Sequence, residues 1–221
     1  MVTPYAAAYA RTRGKPYAET FRCPGGELCL DFCNSGQGAR GSRAEEWITD
    51  YGALVAWLQA AGVLTSRQAG ALRSAAERAP QEADRVWCRA LGFREALARL
   101  LLVRAQDKAP PAEDLRALEA EYARTARHGR LASTEEGFRW TLDAQADELD
   151  LTLRPIVESA ISLMTAPRMA RLRRCGNETC YWLFIDETKN CSRRWCEMAS
   201  CGNVMKVRRH RARARRTTNS G

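Results

Sequence analysis

CGNETCYWLFIDETKNCSRRWCEMASC, residues 175–201, sets the terms on which the rest of this 221-residue chain is read. Four residues lie between Cys175 and Cys180, four between Cys196 and Cys201, and fifteen separate the two pairs. Two short thiolate pairs joined by a longer loop close a tetrahedron without straining the backbone, and zinc binds thiolate sulfur at about 2.3 Å in that geometry. With protein atoms in all four positions, such a metal is structural. Nine cysteines, an odd number, and no charged-then-apolar leader at the start of the chain argue against a disulfide framework. An iron–sulfur cluster also takes four thiolates, but from tighter runs than these. Cys191 stands outside the paired spacing, as a free thiol or a packing residue.

Within the stretch, Tyr181 to Ile185 reads as one strand of a small hairpin turning over Asp186 to Asn190. Ser192 is a candidate cap for a helix beginning near Arg193, and Asn203 can reopen it, so that Cys196 and Cys201 flank the helix start. A hairpin followed by a helix of this kind resembles a treble-clef finger. Trp182, Phe184 and Trp195 suffice to cover a metal but not to form an independent core, which predicts a module that depends on zinc.

After Cys201 comes GNVMKVRRHRARARR. Residues 168–221 hold fourteen of the chain's 35 basic residues and four of its 26 acidic ones, leaving 21 against 22 elsewhere. The net charge of +9 is therefore concentrated in the last quarter of the chain, the footprint expected for a polyanionic partner. Lys206, Arg208, Arg209, Arg211, Arg213, Arg215 and Arg216 would occupy most sides of a helix, a pattern that suits phosphate contact better than base readout. A solvated basic tail is the plainer alternative.

The string Ser192-Arg193-Arg194-Trp195-Cys196-Glu197-Met198, followed by Cys201-Gly202-Asn203, Lys206 and the basic tail, resembles the bacterial CGNR zinc-finger family. Upstream, Gly25-Gly26-Glu27-Leu28-Cys29-Leu30-Asp31-Phe32-Cys33-Asn34-Ser35 is similar to the start of the ABATE domain that precedes this finger. Together the two similarities cover nearly the whole chain, and the finger motif is the more specific. They imply a stress-linked transcription regulator that holds Zn2+ at Cys175, Cys180, Cys196 and Cys201. On that reading Arg193, Arg194, Lys206, Arg208, Arg209, Arg211 and Arg213 face DNA. Val204 stands where the family signature has arginine.

Outward toward the N-terminus, the periodicity is helical. Residues 1–22 have no clear period and read as an arm. Cys23-Pro24-Gly25-Gly26 is turn chemistry, and the apolar run Leu28 to Cys33 that follows is a buried strand or a first helical turn. Asp31 and Asn34 inside it cap the backbone or line a ligand pocket. Cys23, Cys29 and Cys33 invite a second metal site, but they lack an obvious fourth ligand and read more simply as buried thiols.

Ser42 with Glu45 forms a capping box for a helix carrying Trp47, Tyr51, Leu54, Val55 and Leu58, and Thr65 with Gln68 opens a second helix that stops at Pro80. Val86, Ala90, Phe93, Leu97, Leu100 and Leu101 mark the longest helix. Asp114, Leu115, Leu118 and Tyr122 mark another, fraying at His128-Gly129. Arg130–Thr134 and Phe138–Leu142 flank Glu135-Glu136-Gly137 as a hairpin. A last helix runs from Leu149 to Met164, with Pro155 kinking it or marking its true start. The expected architecture is mainly α: an arm (1–22), a helical sensor-like domain with a small β-hairpin (23–167), and a treble-clef-like zinc finger with a basic tail (168–221).

No Walker loop, dinucleotide fingerprint, HExxH or triad appears, so catalysis has no candidate residues. Three classes of function stay open: a DNA-binding regulator with a small-molecule or protein effector, a zinc-stapled protein-interaction module, and a small-molecule-binding protein or enzyme with its pocket at Asp31 and Asn34. A homodimer is compatible with the first. No apolar run approaches the roughly 20 residues of a membrane span, which points to a cytoplasmic protein.

Overall fold

The computed structural model describes residues 24–37, 45–126, 129–142 and 149–218. The first feature it describes is the Pro24-Gly25-Gly26 turn. A Cβ on Gly25 would lie 2.7 Å from Leu30 Cβ, and Gly26 has φ +86°, so both positions need glycine. The close approach at Gly25 lets its N–H donate to Asp31 Oδ1 at 2.7 Å. That bond seats α1 (Leu28–Cys33), all six of whose residues are buried. The apolar run is thus a helix, and it is buried on every side.

Two short strands follow, β1 (Gly36–Gln37) and β2 (Glu45–Glu46), antiparallel with Gly36 opposite Glu46. The capping box expected at Ser42 and Glu45 is corrected here: Ser42 lies outside the described residues, and Glu45 is in a strand. The helix α2 (Tyr51–Ala60) starts later, where Asp50 Oδ1 accepts from the Ala53 N–H at 2.7 Å. Glu46 is drawn into the strand by a different bond, a two-pronged acceptance from Arg94 at 2.5 and 2.8 Å.

Thr65 and Gln68 form the reciprocal capping box at the head of α3 (Ser66–Arg78). Pro80 then opens α4 (Pro80–Arg104), where its missing N–H costs nothing. Val86, Ala90, Phe93, Leu97, Leu100 and Leu101 are all buried along it. On α5 (Ala112–Ala126) the apolar face is narrower than expected. Leu118 is buried but Tyr122 is half exposed, while Asp114 and Glu121 are buried. Arg99 at 2.6 Å and Arg89 at 3.3 Å neutralise those two acids.

The strands β3 (Gly129–Thr134) and β4 (Gly137–Leu142) form the expected hairpin, with Thr134 opposite Gly137 across the Glu135-Glu136 turn. His128 lies outside the described residues. A 3-10 turn at Leu149–Thr152 leads into α6 (Arg154–Thr165), so Pro155 marks the true start of this helix. After a second 3-10 turn at Pro167–Arg171 come β5 (Leu172–Arg174) and β6 (Leu183–Ile185), then a π-helical turn at Met198–Gly202 and α7 (Asn203–Thr218).

Packing places α1 at the centre, against α4, α6 and β6. Phe32 lies between Trp57 and Phe93, with ring centroids at 5.8 and 6.5 Å. The main core continues without a break from Leu28, Phe32 and Leu97 through Ile156 to Leu172, Trp182, Phe184 and the cysteines 175, 196 and 201. Each fully buried leucine or phenylalanine contributes about 1.5–3 kcal/mol. The strands that carry the cysteines therefore draw on the core of the helical part. A smaller cluster around Tyr51, Val55, Leu72 and Val86 anchors α3.

Candidate metal centre and basic helix

Cys175 follows β5, and its N–H donates to the Trp182 carbonyl at 2.8 Å, closing the β5–β6 ladder. The finger's hairpin is therefore β5 with β6 across the Cys175–Cys180 loop, with Leu172 opposite Ile185. It does not turn over Asp186 to Asn190, as the spacing suggested. Asp186 is the reason: its carboxylate accepts from the Thr188 N–H and hydroxyl and from the Arg193 N–H, at 3.0, 2.6 and 2.9 Å. Those bonds hold residues 186–193 as a loop. No helix starts at Ser192, and helix begins only at Met198–Gly202 and Asn203.

This path brings four sulfurs together. Sγ atoms of Cys175, Cys180, Cys196 and Cys201 all lie within 4.8 Å of one another. Cys180 and Cys196 are 3.8 Å apart, the edge of a tetrahedron whose centre lies about 2.3 Å from each sulfur. Two donors point at the sulfurs from outside: the Cys196 N–H to Cys175 Sγ and Asn177 Nδ2 to Cys201 Sγ, each at 3.4 Å. Such donors stabilise thiolates. Hydrogen bonds among the four thiols bring Cys175 down to about 7 and hold Cys201 below the ordinary thiol range, while they push Cys180 and Cys196 up. The donor set and spacing fit Zn2+ as a closed structural site.

Trp195 lies over this centre. A Cβ on Gly202 would meet Met198 Sδ at 2.7 Å and Trp195 Cδ1 at 3.3 Å, so a larger residue there would displace the exposed Met198 side chain. Arg194 is exposed and stacks over Trp195 at 5.4 Å, and Arg174 stacks over Tyr181 at 5.2 Å. A cavity of about 520 Å3 opens beside them, lined by Thr188, Ser192, Arg194, Trp195, Glu197 and Met198.

Other expected site residues fall in different places. Lys206, Arg208, Arg209 and Arg211 are exposed along α7, and Arg213 belongs to the same helix. Val204, in the first turn, is 44% exposed. Arg193 turns inward instead. Its guanidinium donates to the carbonyls of Pro24 and Trp195 at 3.1 and 3.0 Å and to that of Cys196, and stacks over Phe184 at 4.3 Å. It is a joint between the metal loop and the helical part.

Asp31 and Asn34, the expected pocket residues, are likewise drawn into packing. Asp31 is wholly buried under Gly25, and both amide atoms of Asn34 are taken by Leu183, whose N–H donates at 2.9 Å and whose carbonyl accepts at 2.8 Å. Asn34 has no amide atom left for a ligand, and Asp31 Oδ2, though without a partner, is shut away from solvent. Cys29 and Cys33 are buried in α1, and Cys23 lies outside the described residues. The four-cysteine group is the one metal-ligating cluster found among the described residues.

Sequence reasoning missed Asn177, Asp186 and the pair Arg174 with Tyr181. Only the position of Asn177 between two ligating cysteines could have pointed to it. Among the described residues no helix is long and apolar enough to cross a membrane.

Residues 26–167 match the family model ABATE, described as a "putative stress-induced transcription regulator", and residues 171–214 match that of the CGNR zinc finger. Comparison with curated proteins gives no match. The first match spans well over half of the chain, and the second falls on the four-cysteine centre just described. The chain belongs to the ABATE family and carries a CGNR zinc finger.

Proposed function

We propose that the protein is a DNA-binding transcription regulator in which residues 168–221 contact DNA and residues 23–167 receive an effector, a small molecule or another protein. The observation that carries this reading is α7. It springs directly from the metal centre at Asn203, packs on little beyond its own first turn, and exposes Lys206, Arg208, Arg209 and Arg211 on several sides. Arg194 and Arg174, held over aromatic rings, extend the basic surface beside it. Zinc orients the helix in this scheme and takes no part in contact. Because Asp31 and Asn34 are engaged in packing, the effector's place is elsewhere in the helical part.

Phosphate contact dominates. If roughly five charges neutralise phosphates, counterion release gives a log–log salt slope near −4 to −5 for duplex DNA. Fluorescence anisotropy between low and moderate salt measures it. Arg209→Ala and Arg211→Ala should each weaken binding to all sequences alike and reduce the slope by about one unit. Affinity independent of salt, or a loss confined to one cognate sequence, overturns this reading and favours the protein-interaction module.

A further inference from the structure

The β3–β4 hairpin turns apolar side chains outward: Leu131 is 58% and Phe138 78% exposed. Ser133 stands opposite Phe138, so Leu131, Ser133 and Phe138 share one face. Among the described residues the two strands pack chiefly on each other, with Gly129 beside Arg154 at the base of the hairpin. A lone two-stranded ribbon is marginal in water, and its outer edge presents unpaired backbone groups.

The register determines which groups those are. A two-residue turn makes Thr134 and Gly137 a hydrogen-bonded pair, so the backbone groups of Arg130, Ala132 and Thr134 point toward β4. Those of Leu131 and Ser133 point away from β4, to an edge that no described strand covers. Charge is ordered along the same strand, with Arg130 near its start and Glu135 and Glu136 just past its end. Such a strand is complementary to itself run in the opposite direction.

We propose that β3 is a dimer edge whose partner is a second copy of this chain. The two strands pair antiparallel about a two-fold axis at Ala132, giving a four-stranded sheet in the order β4–β3–β3–β4. Leu131 then exchanges both outward hydrogen bonds with Ser133 of the second copy, and residues 130–134 pair throughout. Ala132 meets its own counterpart at the closely spaced, non-hydrogen-bonded position, about 4.5 Å between Cα atoms, where a small side chain fits. Arg130 comes beside Glu135 of the second copy, and the Leu131 and Phe138 side chains of both copies join in one apolar strip. Displacing the register by two residues takes Arg130 away from Glu135 of the second copy in one direction and sets Leu131 against Glu135 in the other. The contact is isologous, as a closed two-fold dimer requires, and it does not depend on DNA binding.

Sedimentation equilibrium of the zinc-loaded full-length chain should show a monomer–dimer equilibrium. Ser133→Pro removes an N–H that points outward and leaves the bonds to β4 intact, so it should raise the dimer dissociation constant by about tenfold or more at an unchanged melting temperature. Cys88 and Cys191 are exposed. With both replaced by serine, Ala132→Cys should cross-link two copies on mild oxidation and Arg130→Cys should not. A chain that stays monomeric at its highest soluble concentration, a dimer that Ser133→Pro leaves intact, or equal cross-linking from both positions overturns the proposal. So does a monomer whose hairpin captures a different protein.

Discussion

Two buried carboxylates, Asp31 and Asp186, show how the same side chain takes opposite characters from its neighbours. Burial pushes both up. At Asp186 the hydroxyl and N–H of Thr188 and the N–H of Arg193 outweigh that push and hold the carboxyl below its ordinary value. At Asp31 the Gly25 N–H, Asn34 and Arg193 do not suffice, Oδ2 has no partner, and the carboxyl stays well above the ordinary value of 3.8. A group that binds its proton more tightly in the folded chain contributes its full stability below that ordinary value. The contribution is lost as pH rises through the raised one. Asp31→Asn keeps the oxygen that Gly25 uses and has no such proton to lose. Thermal melts should show the variant more stable than wild type near pH 7, with the two converging toward pH 4. A gap of constant size would rule out titration of Asp31 as its cause.

The helix α7 is an element whose local sequence is at odds with its isolation. Sixteen residues long, it lacks an acidic residue to pair with its arginines, and like charges three and four positions apart repel. The arginines near its end do favour the helix dipole, and the metal centre supplies a fixed first turn. Helix content in the tail should therefore respond to screening. Circular dichroism at 222 nm is expected to strengthen when salt is raised and again when duplex DNA is added at low salt, with Cys201→Ser abolishing the second change. A tail whose helicity ignores both salt and DNA would mean that phosphate neutralisation plays no part in forming it.

Across the whole molecule, the finger and the helical part are held together by more than a linker. Asn34 with Leu183, the Ile185 N–H to the Gly25 carbonyl at 2.9 Å, Trp182 Nε1 to the Gly36 carbonyl at 2.9 Å, and the edge-on contact of Trp47 with Trp182 all cross the join. A helical core confined to residues 1–167 would leave them nearly unchanged on chelation. The continuous core reverses that expectation. Removing zinc should lower the melting temperature of the bulk helical signal, and truncation after Pro167 should lower it further by uncovering α1. Asn34→Ala, which leaves both Leu183 groups unpaired at a cost of about 1–3 kcal/mol, should reduce the zinc-dependent shift. Full retention of the helical transition on chelation would show that the two parts fold independently.

What could be read in the residues was whatever depends on neighbours close in the chain. The paired cysteine spacing, the capping box at Thr65 and Gln68, the face of α4, the Glu135-Glu136 turn and the start at Pro155 are each specified within a few residues by local backbone chemistry or helical period. The capping signal at Ser42 and Glu45 misled because Glu45 pairs with Gln37 in a strand, next to Glu46, which Arg94 claims from 48 residues further on. Arg193 looked like a surface cation because nothing nearby in sequence announces the Pro24 carbonyl, 169 residues upstream. Asp31 and Asn34 looked like pocket residues for the same cause: their partners arrive with the fold. Local chemistry specified which cysteines meet and which helices form. Only tertiary packing decided which polar groups are consumed in joining the two parts, because a buried hydrogen bond is satisfied by whatever the chain brings beside it.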